Sequence, residues 1–545
     1  MTTTATAPLV VTDIAPLSPG QERLFDAEFA LPDGSWPAPG TPTRLRPIDT
    51  AAIRIDGPLD TAALRHAVTA LVARQSALRT SFRRRSDGTP VQLVADHAPD
   101  PMTVGTLDLP AGQEVPTAEE LLGHAPAHLV DPRHGPLFRV HLLRLAEEWH
   151  VLLLQIHHAV SDGWSIGVLY RDLSELYNAA HTGRDADLPA IPRTFAAHSR
   201  QMRAERGGPE EQRQLAYWRR RLAPPLPGHP AEPSPGGLSP VDVEPVLVPG
   251  DLVRDLRATA ATSAQRGGVA GPFLAALALV LHHAGGEPDV RIGMMISNRA
   301  RPGAEHLIGY FVNTAVIRLR IDPTMTAGQL VAEANTAVTE AIEHQALPIQ
   351  DLYQDLRDTG VLGEGPLYRV TLALNTMRTT SMTLDGVRCE DIDLERIGPR
   401  RAPTSIEQRW VLDERSGRLA GTLTWRTDTF TRPGIAATLT GLDQALRAVT
   451  DPHTTVADIT AALPRRRRRP GEHRPGPRAA HRAGCRRPAR RLRPDAAART
   501  AAAAAGRHGE HPSQGADGHR HCRGDRAEQE DAGAGRGVRP LPAAP

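Results

Sequence analysis

Hydrophobic and polar positions along the chain follow two spacings, one typical of strands and one typical of helices. Val151 to Ile156 is a mostly apolar run of strand length. Apolar residues at positions 166, 169, 173, 176 and 177 then share one face of a predicted helix from Ser165 to Tyr177. The same succession of strands and helices recurs before and after this stretch, so the pattern predicts a mixed α/β protein.

The predicted elements fall into two halves that use the same kinds of element without obvious sequence repetition. In the first half we predict strands at 43–57, 77–82, 90–94, 138–145 and 150–156, and helices at 18–25, at 59–74 and from 118. In the second half we predict helical structure at 191–222, strands at 241–248, 290–296, within 309–321, 368–375, 406–413 and 418–426, and helices at 249–265, 272–283, 327–345 and 434–449. We therefore expect a flexible leader at 1–14 and two similar lobes, 15–185 and 186–460, with a cleft between them.

Composition excludes several classes of protein. A chain of 545 residues with 40% hydrophobic residues exceeds one ordinary domain and can form two cores. The net charge of +2 does not point to nucleic acid or a membrane surface. The N-terminus lacks the pattern of a signal peptide, and no apolar run reaches membrane-spanning length. Three cysteines make no disulfide framework. We therefore expect a cytoplasmic protein without a membrane or nucleic-acid partner.

The chain changes character after Pro464. Arg465 to Arg469 is a run of like charge, and the remaining residues up to the C-terminus are rich in Arg, Ala, Gly, Pro and His. Such a composition cannot bury a core, so we expect residues 461–545 to form a disordered tail. A nucleic-acid-binding tail and an out-of-frame translation are the alternatives. His519, His521 and Cys522 are metal-ligand types without a second spaced pair, so no metal site is predicted.

The turn after the predicted strand Val151 to Ile156 carries the candidate chemistry. It reads His157-His158-Ala-Val-Ser161-Asp162-Gly163, which places two imidazoles, a carboxylate and a glycine at the end of a buried strand. An imidazole there can accept a proton from an incoming nucleophile. The plain alternative is a pair of hydrogen-bonded structural histidines. In a strand that continued through the pair, the two rings would point to opposite faces, so only one could line a cleft.

Two other motifs compete with this turn. Residues 163–167 match Gly-x-Ser-x-Gly, the pattern of a serine nucleophile. A nucleophilic serine directly follows its strand and precedes its histidine, whereas here a turn intervenes and His158 comes first. We therefore interpret Ser165 as a helix N-cap. A second pair, His282-His283, lacks the following Asp-Gly and is predicted to end a helix.

Several further segments resemble the motifs of a known family. They are LSPGQERLF at 17–25, ALRTSF at 77–82, HHAVSDGWS at 157–165, LIGYFVNT at 307–314 with Arg318, and HQALP at 344–348. In this order they resemble the condensation domain of nonribosomal peptide synthetases, over about Leu17 to Asp458. The resemblance implies two lobes of chloramphenicol-acetyltransferase type that form a pseudo-dimer with a central tunnel.

The chain departs from the family pattern at three places. Arg74-Gln75-Ser76 stands where the family has Arg-His-Glu. The fourth motif, which opens Tyr-x-Asp in the family, is read here as Phe195-Ala-Ala-His198, and the seventh is faint around 366–368. The histidine segment is more similar to the subtype that joins an L-residue donor to an L-residue acceptor.

The resemblance implies a reaction and a set of partners. The amine of an acceptor aminoacyl thioester attacks a donor acyl thioester, and both are carried on the phosphopantetheine of carrier proteins. The implied partners are a donor and an acceptor carrier protein, with adenylation domains acting in trans or in a longer synthetase. No cofactor of the domain itself is expected, and the expected state is a monomer. A stand-alone acyltransferase for a soluble amine or alcohol, and a non-catalytic carrier-docking module, are the alternatives.

The resemblance also implies roles for individual residues. His158 accepts or holds the amine proton, and His157 packs or forms hydrogen bonds. Asp162 orders the turn through a cation, for which Arg79 is the candidate, while an Asp that caps backbone groups is the plain alternative. Gly163 belongs to the catalytic set, with a backbone amide near the oxyanion. Supporting roles fall to Arg79, to Ser161 in the turn, and to Asn313 at the lobe interface or capping a turn. Arg299 and Arg301 are expected to be surface or interface charges.

Overall fold

The computed structural model describes residues 10–28, 48–109, 116–124, 135–223, 238–261, 268–363, 365–375, 381–392, 401–403 and 405–464. All of these ranges belong to one unit of the chain, Met1–Glu472. The predicted tail after Pro464, including His519, His521 and Cys522, lies outside the described residues, as do residues 1–9 of the predicted leader.

Strands and helices alternate along the described chain. The strands are β1 (Val11–Pro16), β2 (Ile48–Asp56), β3 (Thr80–Arg84), β4 (Pro90–Ala95), β5 (Met102–Thr106), β6 (Phe138–Ala146), β7 (Trp149–His157), β8 (Leu238–Val248), β9 (Asp289–Ile296), β10 (Asn313–Arg320), β11 (Val370–Asn375), β12 (Arg388–Ile392), β13 (Arg401–Pro403), β14 (Gln408–Arg415) and β15 (Arg418–Arg426). The helices are α1 (Pro19–Glu28), α2 (Thr61–Arg74), α3 (Ala118–His124), α4 (Gly163–Thr182), α5 (Phe195–Ala204), α6 (Pro209–Arg221), α7 (Gly250–Ala261), α8 (Ala270–Gly285), α9 (Ala327–Glu343), α10 (Ile349–Asp358), α11 (Arg432–Ala448) and α12 (Val456–Ala462).

The described strands form three sheets. The first has the order β12-β2-β7-β6-β5, the second β10-β9-β11-β14-β15-β8-β13, and the third β1-β4-β3. Strand β5 runs parallel to β6, and β11 runs parallel to both β9 and β14, whereas the other pairs are antiparallel. The predicted class of mixed α/β sheets is therefore confirmed.

Strand β7 lies at the centre of the first sheet, between β2 and β6. Leu152, Leu154 and Ile156 face the core formed with α2 and α4, while Val151 and Leu153 face a smaller core that includes α3. Burial on both faces explains why this strand is apolar almost throughout rather than alternating. The end of β7, where the histidines lie, is therefore held rigidly.

Helix α8 is the centre of the second core. Its buried residues from Gly271 to Val280 surround the helix axis, because α9 and α11 pack on it and the second sheet lies beside it. A helix that is apolar all round is expected in such a position. Within the described ranges, no helix combines the length and apolarity that a membrane crossing requires.

The two halves share structure. Strand β12 comes from the second half but pairs with β2 in the first sheet, with Arg388 opposite Asp56. Residues of the second half, including Ile308, Phe311 and Met382, also belong to the core of the first half. The lobe boundaries at 185 and 186 stay a prediction, but the core of the first half is completed by residues of the second half, whereas the second core uses residues of the second half.

Three predictions of where elements lie are wrong. Val11 to Ile14, predicted to be part of a flexible leader, lie in β1, which pairs antiparallel with β4 and buries Ala15. Residues 461 and 462, predicted to belong to the disordered tail, end α12, and Leu463 is buried in the second core. The helical stretch predicted at 191–222 is two helices, α5 and α6, and Gly207 adopts φ 73° in the segment between them. The hydrophobic periodicity alone did not predict this interruption between the two helices.

Packing of α8 against α9 leads to a testable prediction. A Cβ atom at Gly271 would lie 1.8 Å from Oδ1 of Asn335, whereas one at Gly285 in the same helix would meet nothing within 4 Å. We expect Gly271→Ala to lower the free energy of unfolding by about 1–3 kcal/mol, as overpacked cores do. Gly285→Ala, the matched control, should be neutral or stabilising, since alanine favours the helix. Urea unfolding measures both, and equal effects would contradict the close approach of α8 and α9.

Candidate functional site

The histidine turn joins the buried strand β7 to helix α4. β7 ends at His157, residues His158–Val160 form a short 3-10 turn, and α4 begins at Gly163. Asp162 is the N-cap of α4, because its carboxylate Oδ1 accepts a hydrogen bond of 2.9 Å from the Ser165 amide. The strand thus does not continue through the two histidines, and it is the turn that separates their rings.

His157 is directed into the protein. The residue is 2% exposed, and its Nδ1 accepts a hydrogen bond of 3.0 Å from the Ala159 amide. Ser161, which is fully buried, donates its hydroxyl to the His157 carbonyl at 3.2 Å. Gln21 on α1 donates to the Ala159 carbonyl at 2.8 Å. These buried hydrogen bonds hold the backbone of the turn. They agree with the predicted role of His157 in packing and hydrogen bonding.

The side chain of His158, unlike that of His157, is partly exposed. It is 29% exposed, and its Nε2 lies 3.3 Å from Oδ1 of Asp49 on β2. The ring packs edge-on against Tyr310, with the centroids 6.3 Å apart. Its Nδ1 is buried and has no hydrogen-bond partner among the described residues. His158 is therefore a partly exposed imidazole whose Nε2 lies beside a carboxylate.

Asp162 lies under the turn in a buried ion pair with Arg299. Oδ1 of Asp162 accepts from Arg299 Nη2 at 2.8 Å, and Oδ2 accepts from the Phe311 amide at 3.0 Å. The two side chains are 4% and 2% exposed. Burial lowers the pKa of the Arg299 guanidinium, an effect that the neighbouring Asp162 carboxylate opposes. The pair connects the first half of the chain, through Asp162, to the loop that follows β9 in the second half.

The identity of this cation corrects the prediction for Arg79. Arg79 donates to the backbone carbonyls of Val72, Ala73 and Ala95, and so connects the end of α2 to the end of β4. It is not the partner of Asp162. Arg299, which was expected at the surface or an interface, lies where the two halves meet and is 7% exposed, and its guanidinium lies 4.0 Å from the centre of the Phe311 ring. An arginine is the usual choice for such a buried pair, because its fork of donors satisfies several acceptors at once.

Ser165 is not arranged as a nucleophile. It is fully buried, and its hydroxyl lies 2.8 Å from Oδ1 of Asp162 and 3.0 Å from the Gly309 carbonyl. The same oxygen accepts from the Gly309 amide at 3.1 Å. Ser165 is also not the N-cap of α4, since Asp162 takes that position. A nucleophile elbow needs an exposed hydroxyl, so the geometry disfavours that alternative.

Gly163 is required for space rather than for an unusual backbone angle. A Cβ atom there would lie 3.3 Å from Oδ1 of Asn375, at the end of β11. The amide of Asn375 donates to Asp413 at 2.7 Å, which limits how far the asparagine can yield. The absence of a side chain at Gly163 therefore lets the second half approach the start of α4. Its proposed amide contact with an oxyanion stays a prediction.

Asn313 holds the loop before α10. Its side-chain amide donates to the Gln345 carbonyl at 2.9 Å and to the Leu347 carbonyl at 2.6 Å, and its oxygen accepts from the Ile349 amide at 3.2 Å. Asn313 also lines a recess between the halves, together with residues that include Arg23 and Tyr310. Both interpretations of Asn313 thus describe part of its surroundings. A tunnel through the molecule stays a prediction.

Two departures from the family motifs occupy buried positions. Gln75 on the first half donates to Asp172 and to the His306 carbonyl, each at 3.0 Å, and accepts from the Ile308 amide at 3.0 Å. Gln75 therefore contributes to the contact between the halves without a charge of its own.

His198 is the second of these departures. Its ring lies 4.7 Å from Phe311 and 6.0 Å from Phe195 between centroids, and neither ring nitrogen has a hydrogen-bond partner among the described residues. Burial, followed by the nearby Arg301, Arg193 and Arg299, lowers the pKa of His198 to about 4. The ring is therefore neutral at physiological pH and serves as an apolar contact.

Asp49 and Tyr310, which lie next to His158, were not predicted from the sequence. Arg299, the partner of Asp162, was not predicted either. Each of these residues is far from the turn along the chain, and no local spacing relates them to it. The register between β2 and β7, which places Asp49 opposite Ile156, is the only signal for Asp49. That register becomes visible only when the strands are paired.

Comparison with known proteins identifies the family. Residues 48–469 match the family model described as Condensation domain. The chain therefore belongs to the condensation domain family, as its motifs implied.

Two relatives show how the chain is placed in larger proteins. It is 34% identical over 458 residues to phosphinothricin tripeptide synthetase PhsC of Streptomyces viridochromogenes, covering 77% of this chain and 41% of that protein. It is 30% identical over 486 residues to chondramide synthase of Chondromyces crocatus, covering 85% of this chain and 12% of that protein. The chain thus spans well under two thirds of the length of these relatives.

Solved structures share the fold. SgcC5 from Streptomyces globisporus, crystallised with a naphthyl ethanediol and sucrose, matches with a TM-score of 0.63 and 25% identity over 81% of this chain and 100% of its own. The first condensation domain of the CDA synthetase matches with a TM-score of 0.65 and 21% identity, covering 82% of this chain and 98% of that one. The predicted chloramphenicol-acetyltransferase-like fold is thereby confirmed.

The buried pair predicts unequal roles for two neighbouring arginines. Removing one partner of a buried ion pair leaves an uncompensated charge, so we expect Arg299→Ala to cost about 3–5 kcal/mol of unfolding free energy. Arg301 pairs with Glu205 where the side chains are 27% and 43% exposed. Arg301→Ala should therefore cost less than about 1 kcal/mol. Chemical denaturation of both variants tests this, and similar losses would argue against the importance of the Asp162–Arg299 pair.

His198 predicts part of the acid sensitivity of the protein. The unfolded chain takes up a proton near the ordinary histidine pKa of 6.5, but the folded chain does so only near pH 4. Stability from this group is complete above pH 6.5 and is lost as the pH falls toward 4, by about 2 kcal/mol at pH 5. His198→Phe should therefore lose less stability than wild type between pH 7 and pH 5. His66→Phe, at an exposed ring on α2, is the control, and parallel pH dependences for His198→Phe and wild type would contradict the prediction.

Proposed function

We propose that this protein forms an amide bond between a donor acyl or peptidyl thioester and the amine of an acceptor aminoacyl thioester. The observation that carries this proposal is the geometry of His158, a partly exposed imidazole at the end of a strand buried on both faces. Membership of the condensation domain family supports the same reaction class. The names of its relatives, such as a tripeptide synthetase, are consistent with peptide products.

In the proposed reaction His158 receives the proton that the amine must lose. The amine nitrogen attacks the donor carbonyl carbon, a C–N bond forms, and one N–H proton passes to Nε2 of His158. The C–S bond then breaks, and the leaving thiolate takes the proton back from the imidazole. No net proton is gained or lost by the protein. A positioned general base of this kind contributes about 10²- to 10⁴-fold.

The other residues of the turn support this role without touching the reacting atoms. His157, Ser161 and Gln21 hold the backbone of the turn, and Asp162 holds it to the second half through Arg299. Rigid placement of the base matters, because much of the acceleration comes from holding two reactants in a productive geometry. The function of these residues is thus to fix one ring.

We propose carrier proteins as the partners. Each substrate would arrive as a thioester on phosphopantetheine, one from a donor carrier protein and one from an acceptor carrier protein. Adenylation domains, in trans or within a longer synthetase, would load them. The synthetases among the relatives, of which this chain matches only a part, support such an arrangement.

A second candidate is acylation of a soluble alcohol or amine. The observation that favours it is the similarity to SgcC5, whose whole chain is covered and whose crystal structure contains a diol. The same imidazole could accept a proton from a hydroxyl group. The two candidates therefore differ in the acceptor and not in the base.

Turnover with a carrier-bound donor tests the proposal. With a donor loaded on a carrier protein and an aminoacyl thioester acceptor, we expect His158→Ala to lower the rate of amide formation by about 10²- to 10⁴-fold. His181→Ala, which removes a partly exposed ring on α4, should retain wild-type turnover. The product is measured by mass spectrometry after release from the acceptor.

Each other outcome favours a different function. Equal product from wild type and His158→Ala would remove the base role. Product only with a soluble alcohol or amine would favour the second candidate, and no product with any acceptor would favour a module that docks carrier proteins without catalysis. A trapped acyl group on Ser165 would restore the serine nucleophile.

A further inference from the structure

Asp49 lies beside Nε2 of the proposed base. It is the second residue of β2, and the pairing of β2 with β7 places it opposite Ile156, one residue before the histidine pair. Its Oδ1 lies 3.3 Å from Nε2 of His158, and its side chain is 41% exposed. The carboxylate and the imidazole are therefore adjacent, and both are partly exposed.

The charge of Asp49 is balanced differently from that of Asp162. Asp162 is buried against a permanent cation, Arg299. In the described part of the chain, the ion-pair partner of Asp49 is His158, and neither a lysine nor an arginine takes that place. Two aspartates thus flank one turn, and among the described residues only the deeper one forms an ion pair with an arginine.

Asp49 and His158 are both partly exposed, so a third group can reach them from solvent. Nδ1 of His158 has no hydrogen-bond partner among the described residues, so no contact there fixes which nitrogen carries the proton. A ligand nitrogen can lie within hydrogen-bond distance, about 3 Å, of both Oδ1 of Asp49 and Nε2 of His158. A small cation with N–H donors would suit this position, because it would balance the negative charge of Asp49.

We propose that Asp49 binds the α-ammonium group of the acceptor and thereby selects an amine acceptor over a hydroxyl acceptor. This inference rests on the proposed function, and it names the chemical class of the acceptor. An α-amino group is largely protonated at or below its pKa of about 7.7–8.0, so a carboxylate stabilises the form in which it arrives. The bound ammonium group then loses one proton to water, and the neutral amine that results attacks the donor. A hydroxyl group carries no charge and gains no such attraction. Asp49 is thus a specificity residue for the acceptor.

Binding of two matched probes to the full chain tests the inference without turnover. One probe is a pantetheine analogue that carries glycine through a non-hydrolysable amide, and the other carries hydroxyacetate in the same way. We expect Asp49→Asn to weaken binding of the glycyl probe about fivefold, a modest factor because the carboxylate is partly exposed. Binding of the hydroxyacetyl probe should change by less than about twofold. Isothermal titration calorimetry measures both.

A second aspartate on the same strand provides the control. Asp56 pairs with Arg54 at 2.9 Å, and its side chain is 31% exposed. Asp56→Asn makes the same chemical change away from His158, and it should leave binding of both probes as in wild type. Thermal unfolding of both variants checks that the fold is retained.

Three results would overturn the inference. They are equal weakening of both probes, which would mean that Asp49 only supports the position of His158; unchanged binding of both; and wild-type protein that binds the glycyl probe no better than the hydroxyacetyl probe. Failure of the proposed function is a separate result, namely absence of amide product from wild type in the turnover assay. Charge-selective binding lost in Asp49→Asn would stand even then.

Discussion

The buried ion pair between Asp162 and Arg299 is the interaction on which the arrangement of the site depends. The Asp162 carboxylate caps the N-terminus of helix α4. It also accepts hydrogen bonds from Arg299, in the loop after β9, and from the Phe311 amide. Because both charged groups are almost fully buried, removal of either one would leave the other buried and unpaired. The pair therefore fixes the start of α4 and the second half relative to the end of β7. The position of His158 follows from these two constraints.

The two histidines show how backbone geometry divides chemically identical groups between different roles. His157 ends a strand and is buried, while His158 begins a 3-10 turn and reaches solvent. Nothing in the imidazoles themselves distinguishes them. The difference comes from the residue at which β7 ends, and that end is held by hydrogen bonds from Ala159, Ser161 and Gln21. The proposed reactivity of His158 is in this sense a property of the turn.

Local patterns predicted the parts of the fold that local forces determine. The apolar run of β7 and the helical spacing of α4 were visible because each element buries its own side chains, and the histidine turn followed from their junction. The cation beside Asp162 was not predictable in this way. Arg79 and Arg299 are equally plausible from composition, and the choice depends on how a loop of the second half packs under the turn. Asp49 was missed for the same reason, since strand register lies outside local spacing.

The missed strands have a related explanation. Strand β12 is short and largely polar, with the pattern Arg-Cys-Glu-Asp-Ile, so neither hydrophobicity nor alternation singled it out. It is stabilised by pairing at the edge of a sheet whose other strands lie far earlier in the chain. Gln75 is similar, because its three hydrogen bonds to distant groups give no signature in its neighbours. These features could not be predicted from the sequence because they depend on partners far away in the chain, and not because their local propensities are weak.

The pairing of β12 with β2 has a consequence for biosynthesis. A ribosome makes a protein from its N-terminus, and a domain ordinarily folds as soon as its own residues have emerged. Here the outer strand of the first sheet is supplied by Arg388–Ile392, so the early part of the chain must wait for more than 300 further residues, from Asp56 to Arg388, before that sheet is complete. During this interval β2 presents an unpaired edge, on which a nascent polypeptide is open to aggregation. Expression of the first half alone should therefore yield material that depends on chaperones, and co-expression with the second half is the natural remedy.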